Sequence, residues 1–353
     1  MERIKFDPKE LGPVGFIPSP IPGEKGIPIL KTPILPRDNF KLLLEGKTPL
    51  WMPSSADYMI VAPKCMPDTW AHGIAFGPGI TQKQYGGKDM FGVEWEFVPQ
   101  VRGAMVRPGH PLVKDITHWE DYITFPDIDA WDWPSAVEEV KPAKARGCII
   151  RVAQQTGLFE RLISFVDMTD ALVSLIDEDA KPAVHRLFDY ICDLYDRLFD
   201  KYKQYMEADM VWFMDDWGSQ RAPFFSEETA REMLLPYLKR VVESAHKRGM
   251  YFDFHSCGKL DNLVSVMVDA GCDLWEGQSL NDKEAVLERY GDKLIVNTHI
   301  PPLPADASEA EITAAVEKYF QTYGHKAAYL ECFGVPPACV TSLYALSRRA
   351  YNP

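Results

Sequence analysis

From residue 148 onward, the chain alternates short apolar runs with amphipathic segments, and this rhythm limits the folds that it can adopt. Apolar runs predict strands at 148–153, 210–214, 251–258, 273–278, 294–300 and 327–333. The segments between them, such as 283–290 and 309–324, have the apolar spacing of a helix with one buried face. Strands that alternate with helices in this way form βαβ units and a parallel sheet.

The number of these units and the residues at the strand ends favour a closed barrel over an open sheet. About eight units are expected, and polar residues follow the carboxyl ends of the strands, where a barrel assembles its active site. An open doubly wound sheet would more often carry a Gly-rich phosphate loop after its first strand, and the sequence has none. The predicted fold class is therefore α/β, a (β/α)8 TIM barrel.

The amino-terminal part of the chain departs from this rhythm. Residues 1–40 are rich in Pro and Gly without a regular period, which predicts an extended N-terminal arm. Residues 48–52 predict the first barrel strand, and the segment 57–108 is irregular and aromatic, which is typical of a functional insertion. We expect the arm, an insertion after the first strand, and a single barrel catalytic domain at 41–353.

Composition narrows the class of ligand and the compartment. A net charge of -13 without a basic patch excludes a nucleic-acid groove or an anionic membrane surface, which leaves a small-molecule substrate and a protein partner. The seven cysteines are an odd number without the dense spacing of a disulfide scaffold, and no apolar run is long enough for a membrane span. We expect a reduced, cytoplasmic protein, and the sequence leaves open whether it forms a homo-oligomer.

A histidine and a cysteine two residues apart end the run at 251–258. Residues i and i+2 of a strand share a face, so His255 and Cys257 can converge on one ion, although a core histidine beside a buried thiol is the ordinary alternative. Glu276 ends the next apolar run and Cys332 ends the last one. Nitrogen, two sulfurs and an oxygen suit Zn²⁺, so the sequence predicts a zinc site with these four metal ligands.

The polar and aromatic residues near these strand ends are candidates for catalysis and substrate binding. Asp215 and Asp216 end the run at 210–214, so at least one is expected at the mouth as a substrate ligand or proton acceptor, and capping of the following loop is the alternative. Glu276 is also a catalytic candidate, as a ligand that substrate displaces or as a residue behind the ligands. Aromatic and polar pocket residues are expected among His72, Tyr85, Trp95, Arg151, Trp217, Trp275 and Phe333.

Several of these motifs together resemble the uroporphyrinogen decarboxylase superfamily. The resemblance is carried by Asp215-Asp216-Trp217-Gly218-Ser219-Gln220, by the helix that follows, and by His255-Ser256-Cys257-Gly258 with the late Cys332. It is similar in particular to the branch of zinc- and corrinoid-dependent methyltransferases, because the metal-free decarboxylases lack the thiolate pair. The segments 85–92 and 127–133 look most like the aromatic O-demethylase methyltransferases.

The resemblance implies a zinc-dependent methyltransferase that moves a methyl group from a small methoxylated, aromatic substrate to a Co(I) corrinoid. The chain has no corrinoid-binding Asp-x-His-x-x-Gly motif, so the corrinoid is expected on a separate protein. Zn²⁺ would act as a Lewis acid on the heteroatom that carries the methyl group. Three alternatives stay open: a methylcorrinoid:thiol methyltransferase, a decarboxylase of the uroporphyrinogen type, and an inactive barrel that serves as a binding partner.

Overall fold

The computed structural model describes residues 4–18, 26–75, 80–100, 103–304, 306–332 and 334–352, and they form a mixed α/β structure. The strands are β1 (Pro13–Ile17), β2 (Ile27–Leu30), β3 (Tyr58–Val61), β4 (Gly87–Lys88), β5 (Glu94–Val98), β6 (Gly103–Val106), β7 (Ile149–Gln154), β8 (Met210–Met214), β9 (Tyr251–Ser256), β10 (Leu274–Gly277), β11 (Ile295–Thr298) and β12 (Ala328–Leu330). Within the described ranges, β3 and β7 to β12 alternate along the chain with helices.

The helices connect these strands and flank them. They are α1 (Pro36–Leu44), α2 (Pro67–Ala71), α3 (Trp133–Glu139), α4 (Lys141–Arg146), α5 (Leu158–Val166), α6 (Met168–Ser174), α7 (Lys181–Met206), α8 (Glu227–Met233), α9 (Leu235–Lys247), α10 (Val264–Ala270), α11 (Lys283–Tyr290), α12 (Glu309–Tyr323) and α13 (Pro337–Tyr351). A proline stands at the second position of α9, where its missing N–H costs no helical hydrogen bond, and the helical segment is divided there into α8 and α9.

The chain divides into two compact units. The central unit comprises Ile60–Pro142 and Ile150–Asn281, and the terminal unit comprises Met1–Met59, Ala143–Ile149 and Asp282–Pro353. The two units are defined by their internal contacts alone. The single catalytic domain at 41–353 stays a prediction.

Four strands of the central unit, β7 to β10, lie side by side and parallel. Most of their side chains are buried, as expected of parallel strands that are covered on both faces. The long helix α7 packs on α9, and both bury a regular apolar stripe that includes Leu187, Ile191 and Leu238. The predicted parallel α/β arrangement is therefore confirmed for this unit.

The segment predicted as an insertion, 57–108, begins with β3. After β3 it contains α2 and an antiparallel sheet in which β5 pairs with both β4 and β6. Ile74 in this segment packs against the cluster that holds Trp212 and Met214 of β8. The insertion is therefore packed against the strand that precedes the aspartate pair.

The terminal unit has its own strand pairs. β1 and β2 are antiparallel, and β11 and β12 are parallel. The arm is held by Glu10, whose carboxylate is buried and accepts hydrogen bonds from Arg348 and Tyr344 of α13. The prediction of a strand at 48–52 is wrong, because this segment is not in a strand and its Leu50 N–H instead donates to the side chain of Asn39. The first strand after α1 is instead β3.

No helix among the described residues combines the length and the apolar character that a membrane span requires.

His246 at the end of α9 should make the stability of the central unit depend on pH. Its Nε2 lies 2.7 Å from Asp273 Oδ2, and this hydrogen bond raises the pKa of His246 above its ordinary value although burial lowers it. The contribution is complete below the unfolded pKa of about 6.5 and is lost as pH rises through the raised folded pKa. We expect His246→Gln to lower the free energy of unfolding near pH 6 by about 0.5 kcal/mol, and to match the unsubstituted protein near pH 9, as measured by urea denaturation. An equal loss at both pH values would contradict the ion pair.

Candidate active site

Three neighbouring strands bring three of the four predicted ligand positions, together with the aspartate pair, to one edge of the sheet. In the parallel registers, His255 of β9 stands opposite Met214 of β8 on one side and opposite Glu276 of β10 on the other. The chain leaves β8 directly into Asp215 and Asp216. The carboxyl ends of these strands therefore place an imidazole, a thiol and carboxylates next to each other.

Asp216, His255 and Cys257 form a group whose potential ligand atoms all lie within 4.8 Å of one another. All three side chains are half-buried, so the group is reachable but largely removed from water. The Cys257 N–H donates to Asp216 Oδ1 at 2.7 Å, which holds the two loops together. This backbone contact fixes the spacing between the acidic side chain and the thiol.

The spacing of the histidine and the cysteine fits zinc. His255 Nε2 lies 3.7 Å from Cys257 Sγ. In a tetrahedral site, ligand bonds of about 2.0 Å to nitrogen and about 2.3 Å to sulfur separate the two ligand atoms by about 3.5 Å. The nitrogen, sulfur and oxygen donors are also the set that zinc prefers, so the residues present fit this ion.

The electrostatics of Cys257 favour a cation over a free nucleophile. Burial raises the pKa of the Cys257 thiol, and the neighbouring charge of Asp216 raises it further, against an opposing contribution from His255. A catalytic thiolate in a site without a metal usually has a lowered pKa. The residues around Cys257 do not by themselves favour its thiolate, whereas a bound divalent ion would deprotonate a coordinating thiol.

Glu276 sits on the other nitrogen of the imidazole. Its Oε1 lies 3.2 Å from His255 Nδ1, and its Oε2 is ion-paired with Arg151 Nη2. Arg151 is wholly buried, is also paired with Asp253, and lies 4.6 Å from the centre of the Trp212 ring. Burial raises the pKa of Glu276, but Arg151 and His255 outweigh it and hold the pKa at about 2, so Glu276 is a carboxylate.

A close backbone approach supports the loop that carries Cys257. Gly258 has φ +99°, and a Cβ there would lie 2.4 Å from the backbone carbon of Gly218. Its N–H donates to Gln278 Oε1 at 3.0 Å, and Asn281 donates to its carbonyl at 2.9 Å. The loops after β8, β9 and β10 are thereby tied to each other through Gly258.

Asp215 performs a different task from Asp216. It is buried, and its carboxylate accepts from the first three N–H groups of α5, including Leu158 and Glu160, and from Trp217 Nε1. Burial raises the pKa of Asp215 to about 6 against these hydrogen bonds. The geometry therefore supports the capping alternative for Asp215, and its catalytic role stays a prediction.

Two of the three tryptophans predicted for the pocket are buried. Trp217 and Trp275 are 0% exposed, and Trp217 packs on Phe254 with ring centres 4.8 Å apart. Trp275 precedes Glu276 on β10 and therefore faces the opposite side of the sheet. Both residues are placed to support the site from behind, and their contact with substrate stays a prediction.

Sequence reasoning missed Glu160 and Asp253. Burial raises the pKa of Glu160 well above its ordinary value, and the charges of Asp216 and Asp215 add to the effect. This raised pKa favours the protonated form of Glu160. Asp253 stands two residues before His255 on β9, and residues i and i+2 of a strand share a face. This spacing was the sequence signal that could have placed Asp253 near the site.

A second group lies in the insertion and includes two of the predicted pocket residues. His72 packs on Trp95 with ring centres 3.9 Å apart and the rings tilted by 52°, and Trp95 Nε1 donates to Asp89 at 3.0 Å. Asp68, His72 and Asp89 also have ligand atoms within 4.8 Å of one another. Arg161 is wholly buried and pairs with both carboxylates of this group, so each of them already has a cationic partner.

The remaining predicted residues are placed elsewhere. Tyr85 donates its hydroxyl to the Ala75 carbonyl at 2.7 Å and packs on Phe97. Phe333 lies outside the described residues. Cys332 belongs to the terminal unit, where it is buried, its N–H donates to Ser55 Oγ, and burial raises the pKa of its thiol to about 12. Its role as a zinc ligand stays a prediction.

Comparison with known families supports the resemblance noted in the sequence. Residues 164–337, just under half of the chain, match the family described as uroporphyrinogen decarboxylase (URO-D). The matched range includes Asp216, His255, Cys257, Glu276 and Cys332. No curated protein matches the chain. The predicted resemblance to the superfamily is confirmed.

Solved structures extend the likeness to the fold as a whole. A methyltransferase from Methanosarcina mazei aligns over 91% of this chain and 100% of its own, at 15% identity and a TM-score of 0.61. A sugar phosphate isomerase/epimerase from Parabacteroides distasonis aligns over 66% of this chain and 84% of its own, at 11% identity and a TM-score of 0.35. The first match confirms the TIM-barrel-like class, with the fold of a methyltransferase.

Gly258→Ala should damage the candidate site through the backbone. A side chain at φ +99° costs about 1–2 kcal/mol in strain, and the approach to Gly218 adds a clash that no side chain can relieve. We expect a lower free energy of unfolding and weaker zinc binding, measured by urea denaturation and by elemental analysis of dialysed protein. Gly271→Ala is the matched control, because Gly271 has φ +85° but its Cβ would meet only Val242 at an ordinary 3.7 Å. Retention of full zinc by the Gly258 variant would contradict this role.

Proposed function

We propose that the protein is a zinc-dependent methyltransferase that demethylates a small methoxylated aromatic compound and delivers the methyl group to a corrinoid carried by a separate protein. The observation that carries the proposal is the convergence of Asp216, His255 and Cys257 at the strand ends of a methyltransferase-like fold. The 3.7 Å separation of the histidine and cysteine donors supports zinc as the ion.

The chain would hold the ion with His255 Nε2, Cys257 Sγ and an oxygen ligand, and Cys332 is proposed as a further sulfur ligand. A catalytic zinc site keeps one position for substrate, where the ion acts as a Lewis acid on the heteroatom that carries the methyl group. Half-burial of the three donors limits access of water and strengthens their electrostatic contribution.

The bond between the methyl carbon and oxygen breaks with its electron pair left on oxygen, and the methyl group passes to the Co(I) corrinoid of the partner. A negative charge develops on the departing oxygen, so a group that supplies a proton lowers the barrier. Burial and the neighbouring charges of Asp216 and Asp215 raise the pKa of Glu160, which favours its protonated form. We propose Glu160 as the acid available to this oxygen.

An aromatic substrate is favoured by the residues of the insertion. His72 and Trp95 pack against each other, and Trp95 lines an open cavity together with Tyr85 and Phe97. Aromatic side chains bind planar rings through large contact areas with defined geometry. We propose that this cavity, of roughly 480 Å³, receives part of the methyl donor.

Cys257→Ala tests the metal and the activity together. Loss of the sulfur donor should abolish both stoichiometric zinc and methyl transfer, because a coordinating thiolate supplies charge that no neighbour replaces. Zinc is measured by elemental analysis, and turnover by loss of the Co(I) absorbance of a purified corrinoid protein. Cys192→Ala is the matched control, since Cys192 is a buried cysteine of α7 whose Sγ contacts the Tyr237 carbonyl. Full zinc in the Cys257 variant would refute the site.

A substrate panel tests the direction of transfer and the chemical class. The Co(I) absorbance should fall with methoxyarenes and persist with methanol, methylamines and methylated thiols, because the aromatic cavity has rings to contact only in the first class. Methylation of a thiol by a methylated corrinoid, with no reaction of methoxyarenes, would establish the reverse assignment.

A decarboxylase is the second candidate because the matched family carries that description. A tetrapyrrole with several carboxylates would require unpaired cationic side chains at the mouth. Arg151, the cation next to His255 and Glu276, is instead wholly buried in its pairs with Asp253 and Glu276. Conversion of uroporphyrinogen with release of CO₂ by the metal-free protein would favour this candidate over methyl transfer.

A further inference from the structure

Two carboxylates, Asp216 and Glu276, compete for the role of oxygen ligand, and they approach His255 and Cys257 from different sides. The Asp216 carboxylate lies within 4.8 Å of both His255 and Cys257 donor atoms. Glu276 does not join that group among the described residues, and its nearest contact is His255 Nδ1 at 3.2 Å. The two acids therefore occupy different positions around the imidazole.

The two imidazole nitrogens of His255 face different partners. Nδ1 faces Glu276 Oε1, and Nε2 faces Cys257 Sγ at 3.7 Å. A carboxylate can only accept, so Nδ1 must carry the proton of a neutral ring. The unprotonated nitrogen is then Nε2, which is the atom directed toward the sulfur donor.

Both oxygens of Glu276 are already engaged. Oε1 is on His255, and Oε2 is paired with Arg151, whose guanidinium is wholly buried. For Glu276 to coordinate an ion, it would have to leave these partners, and the buried charge of Arg151 would keep only Asp253. The arrangement therefore favours a carboxylate that stays where it is.

Trp212 supports the same arrangement from the side. Its ring lies 4.6 Å from the Arg151 guanidinium carbon and 5.4 Å from the His255 ring, which it meets edge to face. Arg151 is thus held by two carboxylates and an aromatic face. A guanidinium with so many contacts presents its carboxylate partner in one orientation.

We propose that Asp216 is the oxygen ligand of the metal, and that Glu276, held by Arg151, is a positioning residue that keeps His255 in the tautomer with Nε2 available. This assignment rests on the proposed metal site, and it differs from the expectation that Glu276 is a ligand. Groups behind a metal-binding histidine typically change metal affinity by about 10–100-fold when they are removed.

The comparison of Gln and Ala variants separates a ligand from a positioning residue. A glutamine oxygen still accepts from Nδ1–H but is a poor zinc ligand, so Glu276→Gln should bind zinc within about threefold of the unsubstituted protein, while Glu276→Ala weakens binding about 10–100-fold. Asp216→Asn can still accept the Cys257 N–H at its side-chain oxygen but loses the ligand charge, so it should weaken binding more than Glu276→Gln.

Zinc affinity is measured by competition with a chromophoric chelator, and the ligand set by the visible spectrum of the Co²⁺-substituted protein. The Co²⁺ ligand-field bands should change in Asp216→Asn and stay in position in Glu276→Gln, with the thiolate charge-transfer band present in both. Equal losses of affinity in the two Glu276 variants, with altered ligand-field bands, would overturn the assignment and make Glu276 the ligand.

Arg151→Met tests the contribution of the guanidinium against a matched control. Arg161→Met removes an arginine that is equally buried and paired with two carboxylates, Asp68 and Asp89, in the insertion group. Zinc affinity should fall about tenfold or more only in the Arg151 variant, and Arg151→Lys should restore part of it. Equal zinc affinity in both Met variants would overturn the role of Arg151, and where Arg151→Met does not fold, the Glu276 comparison decides.

The metal site itself is tested separately by the unsubstituted protein and Cys257→Ala. Stoichiometric Co²⁺ in the former and its loss in the latter establish the site, whatever Glu276 does. Absence of Co²⁺ binding by the unsubstituted protein would refute the proposed function and this assignment together, whereas a reversed Glu276 and Asp216 pattern refutes the assignment alone.

Discussion

The buried charge of Arg151 is the interaction on which the centre of the structure depends. A guanidinium removed from water is tolerated only when its charge is compensated, and here Asp253 and Glu276 supply carboxylates from two adjacent strands. The requirement links β7, β9 and β10. It also gives His255 a charged neighbour, Glu276, which cannot move away without removing one of the carboxylates that pair with the buried Arg151.

The same solution occurs a second time in the insertion. Arg161 is wholly buried between Asp68 and Asp89, and Asp89 also accepts hydrogen bonds from Trp95 and from backbone N–H groups. An irregular segment has few strand contacts of its own, so a satisfied ionic centre gives it a defined shape. The two arginines thus organise the central unit at two places, one behind the histidine and one beneath the aromatic pair.

The fold could be predicted because its signals are local and periodic. β8 and α11 begin and end where the apolar pattern placed them, and His255 and Cys257 share a site because residues two apart on a strand share a face. The prediction of a strand at 48–52 was wrong because the backbone N–H of Leu50 donates to the side chain of Asn39 and not to a neighbouring strand. An apolar composition alone does not reveal which partner a backbone will have.

The sequence indicated that His255 and Cys257 lie together, but it did not indicate what each neighbouring acid contacts. Asp215 and Asp216 are adjacent in sequence, yet one accepts from the start of α5 and the other faces Cys257. Arg151 and Glu160 acquire their contacts only through residues far along the chain, so no short spacing indicates them. Which carboxylate lies near His255 and Cys257 depends on the register of the folded sheet, and periodicity carries no information about it.

The contact between Gly218 and Gly258 has a consequence for how the pocket can diversify. Here two main chains touch directly, without side chains between them, and the loop after β10 holds Gly258 through Gln278 and Asn281. The distance between the loops that carry Asp216 and Cys257 is therefore set by backbone atoms, whose size a side-chain substitution does not change. Substitutions elsewhere in these loops, and in the insertion, are free to reshape the substrate cavity while the reacting centre keeps its dimensions. Such a separation lets one chemistry be retained as the range of accepted compounds drifts.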